Sequence, residues 1–134
     1  MNLYIINTNK STDKRYEWEM IEEKKCSAYR STKKNIEAIK KGDNVLLYSS
    51  GTGIIARGIA DGVVKKKTDM EVVDAEYYMS LTDFYLLIKE IPHHKILSII
   101  QKVKPDFKKP FTSTSLKFTY PESEGIWNEV SKYV

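Results

Sequence analysis

Gly42-Asp43-Asn44-Val45-Leu46-Leu47-Tyr48-Ser49-Ser50-Gly51-Thr52-Gly53-Ile54-Ile55-Ala56-Arg57-Gly58-Ile59-Ala60-Asp61-Gly62 is the stretch on which the reading of this chain turns. Val45 to Ser49 is a continuous apolar run ending in a hydroxyl, the pattern of a strand covered on both faces. Ser50-Gly51-Thr52-Gly53 reads as a hairpin turn in which glycine supplies positive φ. Ile54 to Val64 reads as a longer strand interrupted by Gly58, which marks a bulge or a close backbone approach. A phosphate-cradling loop is excluded, because Gly51-Thr52-Gly53 leads into a strand and is not followed by Lys-Ser/Thr and a helix. What remains is a backbone-lined rim beside an apolar sheet. It suits a flat polar ligand, or it simply closes a hairpin.

On the N-terminal side, Leu3 to Ile6 reads as a short strand ended by Asn7-Thr8-Asn9. Ser11, Thr12 or Asp13 can cap a helix running through Tyr16, Met20 and Ile21 to about Lys25. Ser31 or Thr32 can cap a second helix, with Ile36 and Ile39 on one face and Gly42 as its stop. On the C-terminal side, one strand falls within Val72–Leu81 and another covers Phe84 to Ile91, ended by Pro92. His94 to Val103 is an amphipathic helix with Ile96, Leu97, Ile100 and Val103 on one face. After a loop from Lys104 to Lys109, Phe111 to Thr119 is extended. Thr119-Tyr120-Pro121-Glu122 has capping-box spacing and opens a last helix with Ile126, Trp127, Val130 and Tyr133 inward. The chain therefore reads as one α+β domain over residues 1–134. About five to six strands form a small, curved mixed sheet or barrel with peripheral helices.

At 134 residues, 41% hydrophobic and 30% charged, the composition is that of a globular protein and not of a disordered one. Cys26 is the single cysteine, which excludes an intramolecular disulfide. No signal peptide is visible at Met1-Asn2-Leu3-Tyr4, and no apolar run approaches the roughly 20 residues that span a bilayer. The expectation is a cytoplasmic protein without a membrane partner, monomeric or weakly dimeric. The formal charge is +4 and the pI about 9.0. Lysines cluster at Lys24-Lys25, Lys33-Lys34, Lys40-Lys41, Lys65-Lys66-Lys67 and Lys108-Lys109. A phosphate backbone suits such clusters, and so does a plain solvated surface. With only Arg15, Arg30 and Arg57 present, bidentate readout of duplex bases has little to work with.

Enzyme signals are weak. His93-His94 offers two ligands where zinc needs three or four, so no metal and no cofactor is expected. Cys26 has no basic partner in sequence and reads as a buried small hydrophobe. Binding signals are stronger: nine tyrosines offer flat faces with a hydroxyl attached. Tyr29, Tyr48, Tyr77 and Tyr78 fall near strand ends or loops. Singly each reads as a core or rim tyrosine. As a set beside Asn7, Asn9, Ser27, Ser49 and Ser50 they read as a pocket wall. Trp18 and Trp127 read as core residues from their helical spacing with Ile21 and Val130. If Trp18 turned toward the Asn7–Lys10 turn it could instead stack on a ligand.

The order of elements and several strings resemble the PUA-like superfamily, in its EVE and YTH branches. Gly42 to Ser50 resembles the Gly-Asp-x-Val-x-x-Tyr-x-Ser strand of EVE domains. Ile55-Ala56-Arg57-Gly58-Ile59-Ala60 resembles the strand that follows it. Phe84 to Pro92 and then His94 to Ile100 resemble the next strand, proline and helix. Lys109-Pro110-Phe111-Thr112-Ser113 resembles the Pro-Val-Thr segment before the last helix of YTH domains. The resemblance covers nearly the whole chain through short motifs, and their order is its strength.

It implies a PUA-like fold and a module that binds RNA or DNA and reads one base, a modified one. Carried over by position, the base pocket comprises Asn7, Thr8, Asn9, Cys26, Ser27, Ala28, Ser49, Ser50 and Tyr77 or Tyr78, to which the reading of the tyrosines adds Tyr29 and Tyr48. Lys10, Lys65, Thr112, Ser113 and Lys117 are placed near phosphates. YTH domains carry tryptophans where this chain has the Cys26–Ala28 region and the loop before Phe84, so the resemblance points to a different modification. Two alternatives stand beside this reading. One is a small-molecule amidohydrolase, as among the related ASCH domains, which needs a lysine or carboxylate with a perturbed pKa inside the pocket, Lys10 and Glu19 being the nearby candidates. The other is a protein-interaction module.

Overall fold

A computed structural model describes residues 1–108, 111 and 115–134. Its strands are β1 (Leu3–Asn7), β2 (Lys25–Tyr29), β3 (Asn44–Ser49), β4 (Gly53–Ala60), β5 (Lys65–Asp69), β6 (Val72–Ile91) and β7 (Ser115–Phe118). Its α-helices are α1 (Lys14–Glu23), α2 (His93–Val103) and α3 (Glu122–Ser131), and a 3₁₀ helix covers Arg30–Ala38. The strands form one mixed, seven-stranded sheet in the order β2-β6-β4-β3-β1-β7, with β5 paired to β6 off that path. β1 and β3 run parallel, and the other pairs are antiparallel. This is the curved mixed sheet with peripheral helices that the sequence implies.

β3 and β4 form the hairpin read from the opening stretch, closed by Thr52 N–H donating to the Ser49 carbonyl. Two glycines in it are dictated by contact. Gly53 has φ +124°, and a Cβ there would run into the Ile91 carbonyl. A Cβ on Gly58 would lie 2.8 Å from Leu81 Cβ, beside a register shift between β4 and β6.

Alternation along the strands divides the interior into two cores, one on each face of the sheet. Leu3, Ile5, Leu46, Tyr48, Leu87 and Ile91 pack against Ile96, Ile99 and Ile100 of α2 and Ile126 and Val130 of α3. On the other face Tyr4, Ile6, Val45, Leu47, Ala56 and Met79 pack against Tyr16 and Met20 of α1 and Ile36 and Ile39.

Several elements differ from the sequence reading. Lys25, read as a helix tail, opens β2, because Lys24 takes a left-handed conformation (φ 52°) and turns the chain. The second helix is 3₁₀ instead of α. The two strands read within Val72–Ile91 are one strand of 20 residues. β5 has no apolar pattern, and it exists because β6 offers it a backbone ladder. Trp18 is 63% exposed: the buried stripe of α1 is the Tyr16–Met20 pair, which leaves the intervening Trp18 outside. Trp127 packs on the α2–α3 core.

Candidate functional site

The β1–α1 turn, the end of β2 and the start of the 3₁₀ helix meet around a cavity of about 180 Å³. It is lined by Asn9, Thr12, Tyr16, Tyr29, Arg30 and Thr32. Asn9 has φ 58°, and its N–H donates to Asn7 Oδ1, an Asx turn that carries the chain from β1 toward α1. The Asn9 carbonyl accepts from Thr12 and Asp13 N–H, and Asp13 caps α1 through Arg15 N–H. Tyr16 and Tyr29 stack face to face, with ring centroids 3.8 Å apart and planes 14° from parallel. The Tyr16 hydroxyl donates to Asp69 at 2.5 Å, and Arg30 Nη1 donates to the same carboxylate at 2.8 Å. Burial pushes Asp69 up, but the Tyr16 and Arg30 hydrogen bonds outweigh it and hold it below the usual carboxylate range. This three-residue latch ties α1 and the start of the 3₁₀ helix to the tip of the β5–β6 hairpin.

Behind Tyr29 lies a buried polar cluster. Lys25 Nζ sits 2.8 Å from Glu76 Oε2 and 3.2 Å from Glu23 Oε1, with no exposed side-chain surface of its own. Ser27 donates to the same Glu76 oxygen at 2.8 Å. Burial works against the charge on Lys25, but the Glu76 and Glu23 carboxylates prevail and raise its pKa. The Tyr29 hydroxyl is buried without a hydrogen-bond partner among the described residues. Burial, and secondarily the Glu76 charge, raise its pKa.

The structure brings Asn9 and Tyr29 to this cavity and leaves the other expected residues off its lining. Ser27 lies behind the cavity in the Lys25–Glu76 cluster. Cys26 is sealed in the core, its thiol pushed up to about 12 by burial, and Ala28 is buried beside it. Thr8 is buried and donates to Glu17 at 2.7 Å. Asn7 points to the opposite face, where its amide donates to the Phe111 carbonyl. Tyr48 belongs to that face too, stacked on Phe111 at 5.0 Å.

Ser49 and Thr52 line a separate groove with Glu17 and Ile21 of α1, and Ser50 is exposed. α1 thus serves both hollows, and the hairpin rim is not the wall of the Tyr16–Tyr29 cavity. Tyr77 carries Lys33 and Lys66 over its ring at 4.9 and 5.0 Å, and Tyr78 carries Lys25 at 4.5 Å. Those faces are occupied by ammonium groups. Lys65 donates to Ser80 Oγ, and Lys10 follows Asn9 in the turn, partly exposed. Lys117 lines a different cavity, of about 350 Å³, with Lys104, Lys108 and Phe107. Thr112 and Ser113 lie outside the described residues.

Sequence reasoning missed Tyr16, Arg30, Asp69, Lys25 and Glu76. For Tyr16 the signal was present in the i, i+4 spacing with Met20. For the ion pairs there was none, because their partners are distant in the chain. Among the described residues no group of histidine, cysteine and carboxylate side chains is placed to hold a metal. No helix there is long and apolar enough to cross a membrane.

No protein-family model matches the sequence, and no curated protein matches it. Its backbone does match solved structures over nearly its full length. The Mmi1 YTH domain aligns with TM-score 0.60 at 8% identity, over 98% of this chain and 96% of that one. The fold is YTH-like. A Pseudomonas syringae protein aligns equally well, with TM-score 0.60 at 10% identity over 97% of both chains. The Mmi1 YTH domain in complex with RNA aligns with TM-score 0.58 at 8% identity, covering 98% of this chain and 78% of that one. At such identities the likeness speaks for the fold, and the site must speak for itself.

Proposed function

We propose that this chain is an RNA-binding module that accepts one base, a modified one, at the Tyr16–Tyr29 cavity. The observation that carries the proposal is that cavity itself. Two stacked tyrosine rings and an arginine line a hollow of about 180 Å³ together with Asn9, Thr12 and Thr32, smaller than the 300 Å³ and more of drug-sized sites. Support comes also from the fold, since a YTH domain of the same architecture has been solved with RNA. Tyrosine faces stack bases regardless of sequence, and Asn9, Thr12 and Arg30 supply polar groups for a base edge. Lys10, Lys33, Lys65 and Lys66 are cations on the β1–α1 turn, the 3₁₀ helix and β5, suited to phosphates. Because Tyr16 and Tyr29 already touch, a base enters by parting them or by stacking on the outer face of the pair.

Fluorescence titration of modified and unmodified single-stranded oligonucleotides, with wild type and Tyr16→Ala, tests the proposal. The expected result is tighter binding of one modified strand, lost in the variant while a salt-dependent background persists. Equal affinities for all strands, unchanged by Tyr16→Ala, would remove base reading.

A second reading, amide hydrolysis of a small molecule, draws on the buried Lys25–Glu76 pair with Ser27. It ranks second because all three side chains are sealed and none lines the cavity. Turnover of an amide substrate that Lys25→Met abolishes in a folded variant would raise it to first.

A further inference from the structure

The cavity of about 350 Å³ that Lys117 lines sits beside β7, the last strand in the sheet order, and shares no lining residue with the Tyr16–Tyr29 hollow. Phe107, Leu116 and Phe118, members of the apolar core with the two rings 5.3 Å apart, form one wall. Lys104, Lys108 and Lys117 line the rest, with Asp106 and Ser115. Local structure gathers these groups. Phe107 N–H donates to the Lys104 carbonyl and Gln101 donates to the Phe107 carbonyl, which folds the chain back directly after α2. On β7, alternation leaves Lys117 exposed between the buried Leu116 and Phe118. Among the described residues neither the three lysines nor Asp106 takes part in an ion pair.

We propose that this cavity binds a ribonucleotide by its terminal phosphomonoester. Three ammonium groups against one carboxylate leave an excess of two positive charges. A phosphodiester brings a single negative charge, whereas a phosphomonoester brings about −1.5 to −2 at neutral pH. Inorganic phosphate alone would meet Asp106 as a like charge and leave the apolar wall unused. In a nucleotide, ribose hydroxyls donate to Asp106, as they do to carboxylates in dinucleotide sites, and the base lies against Phe107, Leu116 and Phe118. The volume falls within the roughly 300–1,000 Å³ of small-molecule sites. A free mononucleotide and the phosphorylated end of a strand present this same chemistry. The site goes beyond base reading at the Tyr16–Tyr29 cavity and does not depend on it.

Isothermal titration of the full chain with adenosine monophosphate (AMP) tests the site. AMP is expected to bind at millimolar concentration or below, and adenosine and inorganic phosphate about tenfold more weakly. Lys104→Glu and Lys117→Glu, shown to be folded by circular dichroism, are each expected to lower AMP affinity about tenfold, while Tyr16→Ala leaves it unchanged. Wild type is expected to prefer AMP to its deoxyribose analogue, and Asp106→Ala to lose that preference. A single-stranded RNA that displaces AMP only when its end is phosphorylated assigns the site to strand ends. One that displaces it in neither form assigns the site to the free nucleotide. Absence of AMP binding would overturn the proposal, and so would equal binding of AMP and adenosine, or displacement by both forms of the RNA alike. Affinity lost in Tyr16→Ala but kept in both lysine variants would also overturn it, placing the nucleotide at the tyrosine cavity instead.

Discussion

The two cores on either side of the sheet are built from different chemistry. The face under α2 and α3 is packed with leucine, isoleucine and phenylalanine, and its buried polar contacts are between neutral groups, such as the Asn7 amide donating to the Phe111 carbonyl. The face under α1 is threaded by Lys25, Glu76, Ser27 and the unpartnered Tyr29 hydroxyl. Charge in an interior is expensive, and hydrophobic replacements of a buried pair are often at least as stable. A core can hold a sheet without such groups, as the first face shows. The second face keeps them beside a hollow with stacked aromatics, and that is where base-reading chemistry is to be sought.

The largest break in this comparison comes from separating the buried pair. Lys25→Met should cost about 3–5 kcal/mol, because Glu76 is left with Ser27 alone; urea unfolding measures it. Adding Glu76→Leu to that variant should recover most of the loss. On the apolar face, Ile100→Ala should cost about 2–5 kcal/mol with no rescuing partner and no change in oligonucleotide affinity at a temperature where it stays folded. Tyr29→Phe should sharpen the contrast in the other direction. Removing a buried hydroxyl that lacks a partner among the described residues should raise stability by about 1 kcal/mol, while the retained ring leaves binding of the preferred strand unchanged.

The smallest effect concerns the latch. Asp69 has a folded pKa below its unfolded value, so its contribution is fully present above about pH 4. That contribution fades as pH falls through the depressed value. With Arg30 part-exposed it should amount to no more than about 1 kcal/mol. Asp69→Asn should flatten the acid side of the urea-midpoint profile, leaving neutral-pH stability lower by that amount.

How much of this was legible depended on the range of the interaction. β1, β3 and the β3–β4 hairpin are set by apolar runs and turn residues within a few positions, so the sequence displays them. Asp13, one of three proposed caps, is the residue that caps α1. Gly58 announced the close approach of Leu81 without naming it. By contrast, β5 is a run of lysines that only pairing makes a strand, and Lys25 is buried only because Glu76 returns to it from another strand. The candidate cavity was half visible. Asn9 and Tyr29 were named, but Tyr16, Arg30 and Asp69 come together through the β5–β6 hairpin tip, which has no local signature. Tyr48 and Ser49 were grouped with them because a strand's neighbours in sequence face opposite sides of a sheet.

β6, at 20 residues, pairs with β2, β4 and β5 and contributes side chains to both cores. A strand shared in this way denies either half an independent melting step. The amides in its doubly paired middle, around Tyr77 and Tyr78, should exchange with deuterium only when the entire molecule opens. The same backbone that lies under the lysines at Tyr77 would then report, through its slowest protons, the cooperativity of the whole chain.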